Sequence, residues 1–476
     1  MSGFFGAVSE NDCVSEVFYG TDYHSHLGTK RGGMAIYSNS KGYQRAIHSL
    51  ENSYFRTKFE SDSNLWKGNS GIGCISDTEP QPLVIHSKIG RFAITTVSKI
   101  NNLDEIAQYF LDKGEHIAET SQGGYNPTEI VAMLICEKLN FKDGIQNVYD
   151  RIKGSCSILI LYQDSLIVGR DKLGRTPIVI GHKDGAFCAV SETSSMINLG
   201  YKIYKYVGPG EIVEISKEYI KTLKEEEKEM QICSFLWVYY GYPPTFFEGI
   251  NVDESRYRSG AELAKDDINE SEDGKIKADF VAGIPDSGIG HALGYSNTAH
   301  IPYIRPYAKY TPTWPRSFMP QNQEQRELVA KMKLLPNTAL IKDKKGIFLD
   351  DSIVRGTQLK DNVKDLTENG IKEIHMRIAC PPLLFPCEYL NFSRSRTKLE
   401  LATRKAINYI KGNLENVDFK QYANPESEEY KEMVEQMRKE LGLTSLKFQH
   451  LDALVRSIGL PKDRLCTHCF DGSSRG

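Results

Sequence analysis

Asp350 and Asp351 are adjacent carboxylates that directly follow an apolar run, Gly346-Ile-Phe-Leu349, with the composition of a buried strand. The chain continues Ser352-Ile-Val-Arg355-Gly356-Thr357 and then enters a helical pattern from Gln358 to Asn369, with Gly370 placed to end it. Each part has a chemical use. Paired carboxylates at a strand end can accept hydrogen bonds from vicinal ribose hydroxyls or hold a hydroxyl-bound Mg²⁺. The turn after them offers backbone N–H groups, the Ser352 and Thr357 hydroxyls and a helix N-terminus. Together these make a cradle for a phosphate monoester, with Gly356 allowing close backbone approach. Arg355 adds charge if its side chain turns inward.

The surrounding pattern is one that places such a turn at the edge of a sheet. Apolar runs at Phe280–Ile284, Ile301–Ile304, Gly346–Leu349 and Ile374–Ala379 alternate with helical segments at Gly288–Ser296, Gln323–Leu335 and Gln358–Asn369. That alternation predicts a parallel, doubly wound sheet, whose ligands sit at the carboxyl ends of its strands. The stretch Leu399–Leu460 reads as a polar helical tail. Earlier in the chain, Cys156–Tyr162 and Ser165–Arg170 flank a Gln163-Asp164 turn, and Pro177–Gly181 and Ala186–Val190 flank Lys183-Asp184-Gly185. With helical segments such as Pro127–Leu139, these predict two antiparallel sheets with helices outside, up to about residue 215. A charged run, Lys217–Glu229, reads as a solvated helix or connector and sets a domain boundary near Met230.

A chain of 476 residues implies more than one core. Lys and Arg number 59 against 62 Asp and Glu, so no basic field exists to hold nucleic acid. Neither a signal peptide nor a membrane-spanning apolar run is evident, and the expected location is cytoplasmic. In that compartment the ten cysteines are read as buried, metal-binding or catalytic thiols rather than as disulfides.

The string Asp350-Asp-Ser-Ile-Val-Arg-Gly-Thr357 resembles the phosphoribosyl pyrophosphate signature of type I phosphoribosyltransferases, in the wording of the glutamine phosphoribosylpyrophosphate amidotransferase family. Gly283-Ile-Pro-Asp-Ser287 resembles that family's strand-end loop, and Pro315–Leu334 its flexible loop and following helix. The resemblance implies an N-terminal nucleophile hydrolase-like αββα sandwich over residues 1–230 and a type I phosphoribosyltransferase α/β domain over residues 231–476. It further implies that Asp350 and Asp351 hold ribose and Mg²⁺ together with Ser287, that Ser352, Arg355, Gly356 and Thr357 hold the 5-phosphate, and that Arg316, Lys331 and Lys333 neutralise pyrophosphate. Tyr310-Thr-Pro-Thr-Trp314 departs from the family's basic pattern in the loop that closes over substrate.

Cys466-Thr-His-Cys469 is a Cys-x-x-Cys pair, and Cys233 and Cys387 lie in contexts similar to those of the family's iron-sulfur branch. The resemblance implies a [4Fe–4S] cluster on these four thiols, in a structural role. A zinc site or four unconnected thiols are the alternatives, and Cys380 is a competing ligand. The other five cysteines are expected to be packing residues.

The first half keeps the family scaffold while its chemistry is altered. Family members begin with a cysteine nucleophile, and here Ser2 stands in that place. Where the family has His-x-Arg-Tyr-Ala-Thr, this chain reads Cys74-Ile-Ser-Asp-Thr-Glu79. The oxyanion Asn-Gly pair is replaced around Asn101-Asn102, and the substrate-reading Asp falls near Pro127. His24 and His26 are read as structural or solvent-exposed. The expected activity is formation of 5-phosphoribosylamine and pyrophosphate from phosphoribosyl pyrophosphate and ammonia, without glutamine. Two rivals are a phosphoribosyltransferase for another nitrogen nucleophile and a nucleotide sensor that regulates a true amidotransferase. By the same analogy, purine nucleotides are expected as feedback ligands and the chain as a homodimer or homotetramer.

Overall fold

The computed structural model describes residues 2–272, 274, 276–309, 334–390 and 400–473. The strand Ser2–Ser9 is buried along its whole length because it sits inside a seven-stranded antiparallel sheet, between Ser70–Ser76 and Ala186–Val190. A six-stranded antiparallel sheet, with Gly90–Ile100 and Gly154–Tyr162 near its middle, packs against it. Phe4, Ile72 and Cys74 from the first sheet share one core with Ala93, Leu159 and Val168 from the second. Side chains alternate across a strand, so the outer faces are apolar as well. Helices Val14–Asp22 and Phe55–Leu65 cover the first sheet, and Leu103–Asp112, Pro127–Cys136 and Phe141–Arg151 cover the second. The layering is helix, sheet, sheet, helix, as expected.

Two expectations are corrected. Part of the charged run is neither helix nor free connector: Ile220–Lys224 pairs with Ile212–Ser216 as the edge strand of the six-stranded sheet. Lysines are tolerated there because an edge strand keeps one side in water. The tail is also not wholly helical. Between helices Glu428–Leu441 and Leu451–Ile458, residues Ser445–Phe448 form a strand with Leu446 and Phe448 turned inward.

That strand completes a parallel sheet in the order Phe280–Gly283, Lys345–Asp350, Glu373–Ile378, Ser445–Phe448. One face packs Val281, Ile347 and Leu349 against Leu263, Ala292 and Tyr295 of helices Val252–Glu270 and Ile289–Ala299. The other packs Phe348, Met376 and Ile378 against Leu359, Ile407 and Met433 of helices Thr357–Glu368, Ala402–Lys411 and Glu428–Leu441. Ile301–Ile304 contributes a single bridge, Tyr303 to Val281, rather than a full strand. Most of the helix expected at Gln323–Leu335 lies outside the described residues, and Leu334–Pro336 pairs with Tyr307–Lys309 as a short strand. Among the described residues no helix is long and apolar enough to cross a membrane.

Candidate active site and cysteine group

Asp350 ends the second strand of the parallel sheet, and Gly283 ends the first, so their following loops meet at one edge. The Ile284 N–H donates to the Leu349 carbonyl at 2.9 Å, which ties the loop Ile284–Ser287 to the acidic turn. Gly288 makes that closeness possible, since a Cβ there would stand 2.3 Å from the Leu349 oxygen. Ser287 hydrogen-bonds the Asp351 carboxylate, and Ser352 Oγ donates to Asp351 Oδ1 at 2.5 Å. The residues expected together from sequence, Ser287, Asp350, Asp351 and Ser352, are therefore neighbours.

Burial and the neighbouring Asp351 charge push the Asp350 carboxyl well up. Burial also raises Asp351, opposed by hydrogen bonds from Ser287 and Ser352 and by the Arg256 guanidinium. Two carboxylates that repel each other in a buried turn are suited to a divalent cation or a polyol. Beyond them, Gly356 takes a left-handed conformation (φ +75°) and the helix begins at Thr357, so free backbone N–H groups follow the turn. Arg355 points elsewhere: its guanidinium pairs with Glu400 at 2.7 Å and its side chain is half exposed. Arg316, Lys331, Lys333 and the Tyr310–Trp314 segment lie outside the described residues. Lys309, unremarked in the sequence, pairs with Asp286 in the loop before Ser287.

Arg256 is the other residue that sequence reasoning missed. It is buried, and donates to the carbonyls of Trp237, Tyr239 and Gly241 at 2.8–2.9 Å. It thereby fixes the segment Leu236–Tyr240 beside Asp351. An arginine within a polar helical stretch carries no sequence signal for this role.

Cys233 and Cys466 face each other in a two-residue parallel pairing. Cys387 and Cys469 join them, each of the four thiols lying within electrostatic reach of the others. Burial pushes all four up, most strongly Cys233 and Cys469. Backbone N–H groups point at the sulfurs, including Leu390 N at 3.3 Å from Cys387 Sγ. The first domain closes over the group. Lys99 donates to the Cys387 carbonyl, Asn101 Nδ2 to the Glu388 carbonyl at 2.8 Å, and the Arg175 guanidinium lies 3.6 Å from the Tyr389 ring centroid. Among the described residues no three His, Cys, Asp or Glu side chains converge as a single metal ion requires. Four cysteine thiols gathered in one place are the donor type that a thiolate-bound metal centre uses.

In the first domain Ser2 is buried, and its Oγ donates to Ser76 Oγ at 3.2 Å. Gln81 fills the space beyond. Its Nε2 donates to Glu79 Oε1 and to the Thr96 carbonyl, both at 3.1 Å. Its Oε1 accepts from Thr95 Oγ1 and Thr96 N at 2.8 Å and from Thr128 Oγ1 at 3.1 Å. Cys74 Sγ donates to the Gln81 carbonyl at 3.1 Å, and burial pushes that thiol up to about 12, far from nucleophilic. Asn102 Nδ2 serves the Arg151 carbonyl at 3.0 Å, and Pro127 is the first residue of a helix capped by Asn126. His24 is fully buried, and His26 faces Glu192 at 3.0 Å. The cavity that Ser2 lines measures about 20 Å³, room for about one water molecule.

A glutamine amidotransferase domain model matches residues 71–198. The chain is 30% identical to the amidophosphoribosyltransferase of Methanocaldococcus jannaschii, across 99% of this chain and 97% of that protein. It is 28% identical to the amidophosphoribosyltransferase of Bacillus subtilis, across 99% and 93%. In structure it is similar to the glutamine phosphoribosylpyrophosphate amidotransferase of B. subtilis complexed with ADP and GMP, with a TM-score of 0.83, 26% identity, and 99% and 96% of the two chains covered. A second solved structure, described as the allosteric regulatory enzyme of purine biosynthesis, gives a TM-score of 0.81 at 26% identity, covering 99% and 95%. The chain belongs to the amidophosphoribosyltransferase family, the pentosyl-transferring enzymes of purine biosynthesis.

Proposed function

We propose that this chain makes 5-phosphoribosylamine from phosphoribosyl pyrophosphate and ammonia, and does not use glutamine. One contrast carries the reading. The acidic turn of the second domain keeps Asp350, Asp351 and Ser287 together, whereas the place of the glutaminase nucleophile holds Ser2 beside a cavity of about 20 Å³. Sites for whole small molecules run to about 300 Å³ or more.

In the reaction the C1–pyrophosphate oxygen bond breaks, the ammonia nitrogen bonds to C1, and a proton leaves the new amine. Asp350 and Asp351 hold the ribose hydroxyls, and the turn Ser352–Thr357 holds the 5-phosphate through its backbone N–H groups. Arg316, Lys331 and Lys333 are assigned to pyrophosphate on family likeness. Mg²⁺, held by Asp350 and Asp351 with Ser287 alongside, would supply charge neutralisation of the leaving group. Arg355, paired with Glu400, shapes the turn instead of gripping phosphate.

Cys233, Cys387, Cys466 and Cys469 are assigned to a [4Fe–4S] cluster that ties the start of the second domain to the end of the chain. Purine nucleotides as feedback ligands, and a homodimer or homotetramer, are the matching proposals for regulation and assembly; the B. subtilis relative carries ADP and GMP. The test is pyrophosphate release from phosphoribosyl pyrophosphate with Mg²⁺, on anaerobically prepared protein, with ammonium chloride or glutamine as nitrogen source. Release with ammonium alone supports the reading. Equal release with glutamine, or none with ammonium, overturns it.

A further inference from the structure

The turn at residues 171–175 of the first domain is a fixed platform. Asp171 is buried; its Oδ1 accepts from the Cys156 N–H at 3.2 Å, and its Oδ2 accepts from the Leu173 and Arg175 N–H groups at 3.2 and 2.9 Å. Gly174 closes the turn in the left-handed conformation (φ +64°). Arg175 is thereby presented to the second domain with only 3% of its surface exposed. It reaches all three chain segments that carry the four cysteines. Its carbonyl accepts from the Cys233 N–H at 3.2 Å, just as the Leu173 carbonyl accepts from the Gln231 N–H at 2.7 Å. Its guanidinium hydrogen-bonds the Cys466 sulfur and lies over the ring of Tyr389, two residues past Cys387.

Lys99 adds to the same contact from the strand Gly90–Ile100. It donates to the Cys387 carbonyl and stands within electrostatic reach of that thiol, as Arg175 does. The first domain thus sets two cations against the cysteine group. A metal-bound cysteine is a thiolate, so loading the group brings negative charge up to Arg175 and Lys99, in a buried place where salt screens little. Without metal the backbone bonds of the contact persist and that attraction is lost. Contacts elsewhere between the domains are of another kind: the Phe246 N–H donates to Thr193 Oγ1 at 2.7 Å, and Arg170 Nη1 pairs with Glu248 Oε1 at 2.8 Å.

We propose that Arg175 latches the first domain onto the cysteine group, and that the latch tightens when the thiols hold metal. The contact itself rests on the geometry. Its dependence on loading rests on the metal centre assigned above. Arg175 acts here as a positioning residue and not as a ligand, because a guanidinium has no lone pair to give a metal. Metal content then governs how firmly the two domains are joined at this corner.

The test is amide hydrogen exchange, read by mass spectrometry, on the full-length protein loaded anaerobically with ferrous iron and sulfide and on the same protein stripped by a chelator. Peptides covering residues 171–175 and 231–233 should exchange roughly 10- to 100-fold faster without metal, the scale of one charged hydrogen bond, while the peptide carrying Phe246 keeps its rate. Arg175→Met, compared at matched iron content, should bring the loaded protein to the faster rate and should change nothing in the stripped protein. Arg175→Lys keeps the charge and should recover much of the protection. A side chain that only packs would shift exchange equally in both states. If Arg175→Met does not fold by circular dichroism, Lys99→Met carries the same comparison. Wild-type exchange that ignores metal, or an Arg175→Met effect of equal size in both states, overturns the latch. Metal analysis separates the two claims. Protein that takes up no iron sinks the centre and the latch with it, whereas iron-loaded protein with unchanged exchange sinks the latch alone.

Discussion

Ser2 Oγ and Ser76 Oγ stand 3.2 Å apart on directly paired residues of neighbouring strands. On the function proposed above, Ser76 is assigned to the place where the family resemblance puts an arginine for the glutamine carboxylate. On that assignment the Ser2 hydroxyl, at the nucleophile's position, is hydrogen-bonded to the residue in the clamp's position. With Glu79 and Gln81 packed beyond, the change extends past one residue.

It follows that restoring the thiol alone will not restore glutamine use. Ser2→Cys should release no more glutamate from glutamine than the wild-type protein does, measured by a coupled glutamate assay. Glutamate production matching pyrophosphate release in that variant would contradict the loss of the glutamine site.

The acidic turn makes the opposite prediction. Asp350→Asn and Asp351→Asn should each lower ammonium-dependent pyrophosphate release by roughly 10²-fold, the usual scale for losing one preorganised charge contact. Each should also raise the Mg²⁺ concentration needed for half-maximal rate. Arg355→Ala should do far less, since that guanidinium is paired with Glu400. A loss with Arg355→Ala as large as with the aspartates would return the arginine to the phosphate.

Cys466→Ser should abolish the visible absorbance of anaerobically prepared protein and its iron and acid-labile sulfide, and should lower stability by several kcal/mol, as loss of a structural metal centre does. Cys380→Ser should keep all three signals, because Cys380, though within electrostatic reach of Cys469, also faces Asp350 and Asp351 and has none of the other three thiols among its own electrostatic neighbours. Loss of iron on changing Cys380, with retention on changing Cys466, would reassign the ligands.

Acid should destabilise the fold through two buried histidines. Burial lowers His24 to about 4 and His291 to about 3, from 6.5. Between those values the unfolded chain binds protons that the folded chain refuses, so stability falls as pH drops below about 6.5. Each histidine contributes on the order of 3 kcal/mol by pH 4, since every tenfold loss of proton affinity on folding is worth about 1.4 kcal/mol. Denaturant midpoints from pH 7.5 to 4.5 should fall steadily, and His24→Gln should flatten the decline. An unchanged slope would mean that His24 titrates normally.

Much of the site was legible because its chemistry is local in sequence. Asp350 to Thr357 is one unbroken turn, and the alternation of strand and helix placed it at the edge of a sheet. What was not legible came from long-range packing. Arg256 reaches Asp351 from a helix nearly a hundred residues earlier, and its sequence setting is that of an ordinary surface helix. Lys99 and Asn101 looked like a degraded oxyanion loop, yet both are anchored on the Cys387 segment. Ile220–Lys224 and Ser445–Phe448 are short strands whose partners lie elsewhere, so charge and the neighbouring helices masked them.

The most direct measurement supplies ¹⁵N-ammonium and unlabelled glutamine together with phosphoribosyl pyrophosphate and Mg²⁺, traps the product amine, and reads its nitrogen by mass spectrometry. An ammonia-dependent enzyme with no glutamine site predicts ¹⁵N throughout the product and no glutamate formed. Product carrying unlabelled nitrogen, with glutamate accumulating in step, would contradict it.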